Sequence, residues 1–325
     1  MSAIANAKKI FNKYALLIVF VAVIAVFGLI SPPFLSISNI SNMLLGGMAS
    51  AYLAFGGIFI LVVNEFDLSL GYNLCLSMCT AAFLDTMGAP GIVTVLLPLI
   101  LGTCYGLING LIVVKLKISS MIVTLAVGLT LSGIAQAITN GGNLYLTSPE
   151  WLLYLTRKSF CQIAICAIIW FLAGIVLHFF LTQMSLGRQM FAVGNSEKTA
   201  FLAGIHTARI RMIAFAMAGF FASLGGLIMV GQLGSASSSY GVSLLLPAYA
   251  VVFLSKASFK PGYINVPGVI VSVLLILFGT NGMQLIGAPT WSEYLFEGII
   301  LMFSMWLSTH TSMTANQIAK KKGKE

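Results

Sequence analysis

Residues 186–211 read LGRQMFAVGNSEKTAFLAGIHTARIR and form a long polar interruption in the middle of a very apolar chain. Charged residues make up only 8% of the protein. This stretch nevertheless holds a cluster of titratable side chains: Arg188, Glu197, Lys198, His206, Arg209 and Arg211. Basic residues between apolar runs are typical of a loop outside a bilayer on the cytoplasmic side.

A short helix is predicted inside this stretch, from Glu197 to about Ala203. Asn195 and Ser196 are good N-cap residues, and Glu197 suits the positive end of the helix dipole. Gly204 is a natural stop because glycine adopts the left-handed conformation at helix ends. Two interpretations are open at this point: an ordinary cytoplasmic loop, or a short helix that the membrane domain presents to a soluble partner.

The composition identifies the class of protein. The 325 residues are 59% hydrophobic and the mean hydropathy is +1.01, whereas a soluble domain carries about 25% charged residues. We therefore expect a single transmembrane domain over residues 1–325, with no soluble domain of its own. The net charge of +9 does not indicate nucleic-acid binding, because the basic residues lie at the ends of apolar segments.

Apolar windows about 20 residues long predict an all-α protein with ten transmembrane helices. They lie near 14–30, 43–63, 71–86, 92–114, 119–138, 160–181, 211–231, 244–256, 264–284 and 291–308. With the N-terminus inside, the inner segments hold 15 lysines and arginines, and the outer ones hold only Arg157 and Lys158. This bias predicts that both termini and residues 186–211 are cytoplasmic.

The second and eighth of these helices are interrupted by polar residues, at Asn64–Asn73 and Ser255–Gly262. Broken helices at matching places indicate a central pathway in transporters. Glu65 and Asp67 are costly and functional if they lie inside the bilayer. If they lie at its inner edge, Asp67 is expected to cap a helix starting at Leu68, assisted by Ser69. We predict that Asp67→Asn harms folding or transport more than Glu65→Gln.

Neutral amides and hydroxyls inside the spans suit a path for a neutral polyhydroxy solute, although helix packing uses the same residue types. The candidate path residues are Asp67, Ser69, Asn73, Asn109, Thr124, Gln136 and Asn281. The ridge Gly102-x-x-x-Gly106-x-x-x-Gly110 predicts close helix packing. No nucleophile has a neighbouring base, and no ligand cluster suggests a metal or cofactor, so the sequence does not favour an enzyme.

The sequence contains no G-x-x-x-x-G-K-[ST] motif, so any ATPase that drives transport must be a separate chain. Several motifs then follow one another in a specific order: EFDLSLG at 65–71, GLING at 106–110, ISSMIVTL at 118–125, GR at 187–188 with AVGN at 192–195, and FKPG at 259–262 with NVPG at 265–268. Together they resemble the permease subunits of bacterial ATP-binding-cassette importers for sugars of the ribose, xylose and galactoside type. The resemblance covers about Phe34 to Leu307, and Asn64-Glu65 replaces the family's paired glycines.

The resemblance implies a type II-like importer permease in the bacterial inner membrane, surrounded by lipid. Two permease chains, identical or different, would enclose one pathway, with two ATPase chains beneath and a binding protein delivering sugar from outside. The segment Gly194–Ile205 would be the coupling helix that docks into a groove on the ATPase. Its expected contact residues are Gly194, Asn195, Glu197, Ala200, Phe201, Gly204 and Ile205. A charge at Ala200 is expected to release the ATPase.

Alternatives remain at the level of sequence. A self-contained ion-coupled transporter could use Glu65 and Asp67. An importer of this type could also carry a nucleoside, an autoinducer-like furanosyl compound or a branched amino acid. A membrane-embedded enzyme is a third class, but the chain lacks a catalytic constellation for it.

Overall fold

The computed structural model describes residues 2–300 and 302, and these are helical over most of their length. In chain order the helices are α1 (Ser2–Ile30), α2 (Ile37–Val62), α3 (Leu70–Thr86), α4 (Gly91–Leu116), α5 (Ser120–Thr139), α6 (Glu150–Arg157), α7 (Ile165–Gln183), α8 (Ser185–Asn195), α9 (Glu197–Leu202), α10 (Thr207–Leu233), α11 (Leu245–Leu254) and α12 (Val266–Leu285). Short 3₁₀ turns cover Pro32–Leu35, Val242–Leu244 and Ser255–Ala257. Residues 290–300 are also helical.

Six of the described helices are long and apolar enough to cross a membrane: α2, α4, α5, α7, α10 and α12. The predicted count of ten spans is not confirmed. Helix α3 has only 17 residues, and the apolar stretches Leu16–Ile30 and Val242–Ala257 are also short. The end of the predicted span at 291–308 lies outside the described residues.

Four two-residue strands form two small antiparallel ladders. Strand β1 (Leu144–Tyr145) pairs with β4 (Ser235–Ala236), and β2 (Ser159–Phe160) pairs with β3 (Ile163–Ala164). Between them lies the amphipathic α6, which exposes Trp151 and Tyr154 and buries Leu152 and Thr156. The side chain of Arg157, at the end of α6, donates a 2.7 Å hydrogen bond to the carbonyl of Gly231 in α10. The loop after α5 is therefore attached to α10.

The chain divides into two compact units, of which the first comprises the described residues before 44 and after 248. Asn265 caps α12 by accepting a 2.8 Å hydrogen bond from the backbone N–H of Gly268. Its side-chain amide also donates to the carbonyls of Ser255 and Ser258. Asparagine thereby satisfies backbone groups where the chain leaves one helix and enters the next.

The second unit, Leu44–Ala248, is built around α10 and its packing on α3 and α4. Glycines permit this packing because two helix backbones touch directly. A methyl group on Gly219 of α10 would overlap the carbonyl of Gly102, and one on Gly106 would overlap the carbonyl of Phe215. The glycine ridge predicted in α4 is therefore a packing surface, as its small-residue spacing suggests.

Candidate functional site

Residues 63–69 form a break between α2 and α3. Its backbone is bonded to hydroxyl groups at the beginning of α5. The N–H of Phe66 donates to the Ser120 hydroxyl at 3.2 Å, and the N–H of Leu68 donates to the Thr124 hydroxyl at 2.9 Å. Buried backbone groups must find partners, so these two hydroxyls fix the irregular path of the chain.

Asp67 is fully buried in the break. Its Oδ1 accepts hydrogen bonds from the backbone N–H of Ser69 at 2.8 Å and from the Ser69 hydroxyl at 2.5 Å. The Asn109 amide of α4 donates to the same hydroxyl at 2.8 Å. The predicted helix start at Leu68 is wrong, because α3 begins at Leu70. Asp67 instead stabilises the turn before α3, because its carboxylate accepts a hydrogen bond from the backbone N–H two residues further along the chain.

The structure thus brings together four of the seven candidate path residues: Asp67, Ser69, Asn109 and Thr124. The other three lie elsewhere. Asn73 of α3 donates to the carbonyls of Gly102 and Gly219, both at 3.2 Å, and so bonds α3 to α4 and α10. Gln136 is exposed and bonds Ser132 on its own helix. Asn281 belongs to the first unit and pairs with Asn39 at 2.8 Å.

We expect Asp67→Asn to lower the thermal stability of the detergent-purified permease more than Glu65→Gln. Hydrogen bonds to a charged acceptor contribute roughly 1.5–3 kcal/mol each, and asparagine weakens both bonds from Ser69. Glu65 is partly exposed and its arginine partner keeps a second carboxylate. Scanning calorimetry or fluorescence-detected unfolding of both variants measures the difference. A larger loss of stability in Glu65→Gln would contradict this account of Asp67.

The sequence predicts one helix in the polar stretch at 186–211, but the stretch contains most of α8, all of α9 and the beginning of α10. Ser196 lies in extended conformation between α8 and α9, and its side chain accepts a 3.2 Å hydrogen bond from the N–H of Thr199. Ser196 is therefore the N-cap, as predicted, whereas Asn195 is the last residue of α8. Gly204 has a φ of +83° and ends the α9 turn, which confirms the predicted stop.

Exposure distinguishes two faces of α9. Phe201 and Leu202 are exposed to 68% and 76%, whereas Ala200 is buried at 4%. Ala200 therefore packs within the chain, and a charge there would disturb the permease itself. Leu202 is not among the contact residues predicted from the sequence. A helix of six residues makes fewer than two turns, so hydrophobic periodicity could not assign its inner face.

Two contacts connect the α8–α9 segment with the end of α2. Gly194 lies so close to the carbonyl of Val62 that a methyl group there would overlap it. Arg211, in the second turn of α10, forms ion pairs with Glu65 in the break and, at 3.2 Å, with Glu197 at the start of α9. No local pattern in the sequence indicates these pairs, because Glu65 and Arg211 are far apart along the chain.

The family described as branched-chain amino acid transport system / permease component matches residues 39–305. The ribose import permease protein of Bacillus subtilis is 30% identical over 90% of this chain and 91% of its own. The xylose transport system permease protein of Haemophilus influenzae is 30% identical, covering 91% and 96%. The L-arabinose ABC transporter permease protein of Azospirillum brasilense is 28% identical, covering 91% and 87%. No solved structure matches this chain.

Proposed function

The chain belongs to the family of the branched-chain amino acid transport system / permease component, and we propose, from its sugar-carrying relatives, that it carries a monosaccharide of the pentose class into the cell. It is the membrane permease subunit of a sugar ABC transporter and not an enzyme. The relatives named above are permeases for ribose, xylose and arabinose. The family description mentions amino acids, but these relatives match nearly the full length of the chain, and sugars are therefore the favoured cargo.

The observation that supports coupling to an ATPase is the exposed apolar pair on α9. Phe201 and Leu202 point away from the chain on a helix that is otherwise held in place by Ala200 and by the Ser196 cap. Adjacent exposed apolar side chains on an anchored helix are typical of a docking surface. We assign α9 to the groove of an ATPase chain, with the Ser196 cap at its start and Gly204 just after its end.

The break at 63–69 is proposed to border the pathway. The side chains of Asp67, Ser69, Asn109 and Thr124 use their hydrogen bonds to hold its backbone. These side chains therefore shape the wall of the path. Because their hydrogen bonds are already used, the sugar is expected to contact other atoms beside them. Irregular backbone at membrane depth is tolerated where it lines a cavity or is buried in protein.

The remaining elements of the assembly follow from the sequence and the relatives. We propose ten spans with both termini cytoplasmic in the inner membrane, supported by the 15-to-2 distribution of basic residues. A second permease chain, two ATPase chains and an extracytoplasmic binding protein complete the transporter. The ten spans are the six helices that are long enough to cross a membrane, three shorter apolar stretches and the segment 291–308.

Uptake in proteoliposomes tests the function. The chain is reconstituted with its ABC ATPase and its binding protein, and labelled D-ribose, D-xylose and L-arabinose are supplied with or without ATP inside. We expect ATP-dependent uptake of at least one pentose, with labelled leucine as the control. Leucine uptake without pentose uptake would contradict the sugar assignment. Uptake by the chain alone, driven by an ion gradient, would favour the ion-coupled alternative.

A further inference from the structure

Arg211 contacts two carboxylates that belong to different elements. One end of its guanidinium group pairs with Glu65 in the break, and the other lies 3.2 Å from Glu197 of α9. The side chains of Arg211 and Glu65 are 18% and 14% exposed, whereas that of Glu197 is 54% exposed. Exposed ion pairs are weak and screened by salt, and shielded ones less so. The ion pair of Arg211 with Glu65 is therefore the stronger of the two.

Each carboxylate is attached to a different part of the transport machinery. Glu197 is the first residue of α9, the helix that exposes Phe201 and Leu202. Glu65 lies beside Phe66, whose N–H is bonded to α5, and two residues before the buried Asp67. One arginine side chain thus joins the proposed docking helix to the break before α3.

A second contact between the same regions is short-ranged and carries no net charge. Gly194 of α8 touches the backbone of Val62 at the end of α2. Touching backbones repel one another on closer approach, and their dispersion attraction weakens steeply as they separate. An attraction of longer range is needed if α2 and the break are to follow α9 when α9 moves away. The two ion pairs of Arg211 provide such an attraction.

We propose that Arg211 is a positioning residue for transport, which makes the break follow α9 when the docked helix is drawn away from the membrane. This inference rests on the proposed docking of an ATPase on α9. Arg211 itself touches neither the sugar nor ATP. Its loss is expected to reduce the number of sugars moved per ATP, while the ATPase stays bound.

The test uses the complete transporter in proteoliposomes, with the pentose that gives uptake as the probe. We expect Arg211→Gln and Glu65→Gln to lower the pentose taken up per ATP hydrolysed by about tenfold, within the range that residues linking two sites produce. Glu197→Gln is expected to lower it by only about twofold to threefold, because an exposed pair contributes less. Co-purification of the ATPase should be unchanged in Arg211→Gln and in Glu65→Gln.

Two further variants separate a charge link from a structural role. Arg209→Gln is the matched control, because Arg209 is an exposed arginine on the same helix, and its uptake per ATP should equal that of the unmodified chain. In a Glu197→Gln background, exchanging the charges by Glu65→Arg with Arg211→Glu should recover at least about half of the loss caused by Glu65→Gln. If Arg211→Gln does not fold, Glu65→Gln gives the same measurement.

The proposal is overturned if Arg211→Gln and Glu65→Gln match Arg209→Gln in uptake per ATP. It is also overturned if the charge exchange recovers nothing, or if either variant loses its ATPase. These outcomes differ from failure of the docking proposal itself. If α9 does not dock on the ATPase, replacing Phe201 and Leu202 by charged residues leaves the ATPase bound, whatever the variants of Arg211 do.

Discussion

Replacing both Phe201 and Leu202 by aspartate is expected to abolish co-purification of the ATPase, while the permease itself stays folded in the membrane. Both side chains are largely exposed, so the permease loses few internal contacts. In the groove of a partner the two new carboxylates would be buried without partners of opposite charge, at a cost on the order of several kcal/mol. Affinity purification of the tagged permease, followed by quantification of bound ATPase, measures the effect.

Two controls on the same helix define what this result means. Lys198 is exposed and polar, and Lys198→Ala should leave most of the ATPase bound. Ala200 is buried within the chain, and Ala200→Asp should reduce the yield of folded permease instead of releasing the partner from an intact one. Retention of the full amount of ATPase by the Phe201→Asp/Leu202→Asp variant would exclude α9 as the coupling helix.

Gly219→Leu is expected to abolish folding of the second unit. A side chain at this position in α10 would overlap the carbonyl of Gly102 and press on Gly106 of α4. Overpacking that only displaces side chains costs roughly 1–3 kcal/mol, but here backbone opposes backbone and no rotamer change relieves the overlap. We expect little monodisperse protein in detergent, as measured by fluorescence-detected size-exclusion chromatography.

The matched control is Gly133→Leu in α5, where no other part of the described chain lies within 4 Å of an added Cβ. That variant should be recovered in normal amounts, because its leucine has open space. A normal yield of Gly219→Leu would show that α4 and α10 do not approach as closely as the contact between Gly219 and Gly102 requires.

Sequence alone determined the features that depend on neighbouring residues in the chain. The apolar windows indicated a polytopic helical membrane protein, and the ordered motifs identified the class of permease. Ser196 and Gly204 specified the limits of α9 closely because caps and stops act through the adjacent backbone. The count of ten spans is a proposal, because the interrupted and short apolar helices do not reach the length that identifies a membrane-spanning helix.

Tertiary structure decided which of the candidate residues meet. Asp67, Ser69, Asn109 and Thr124 come together because α4 and α5 both pack beside the break. Asn73 and Asn281 have the same amide chemistry as Asn109, yet they bond other helices. The exposed face of α9 and the pairing of Glu65 with Arg211 depend on how distant segments pack. Hydropathy and capping patterns report only a residue's neighbours along the chain, whereas these contacts arise when helices from distant parts of the sequence meet and bury their polar groups together.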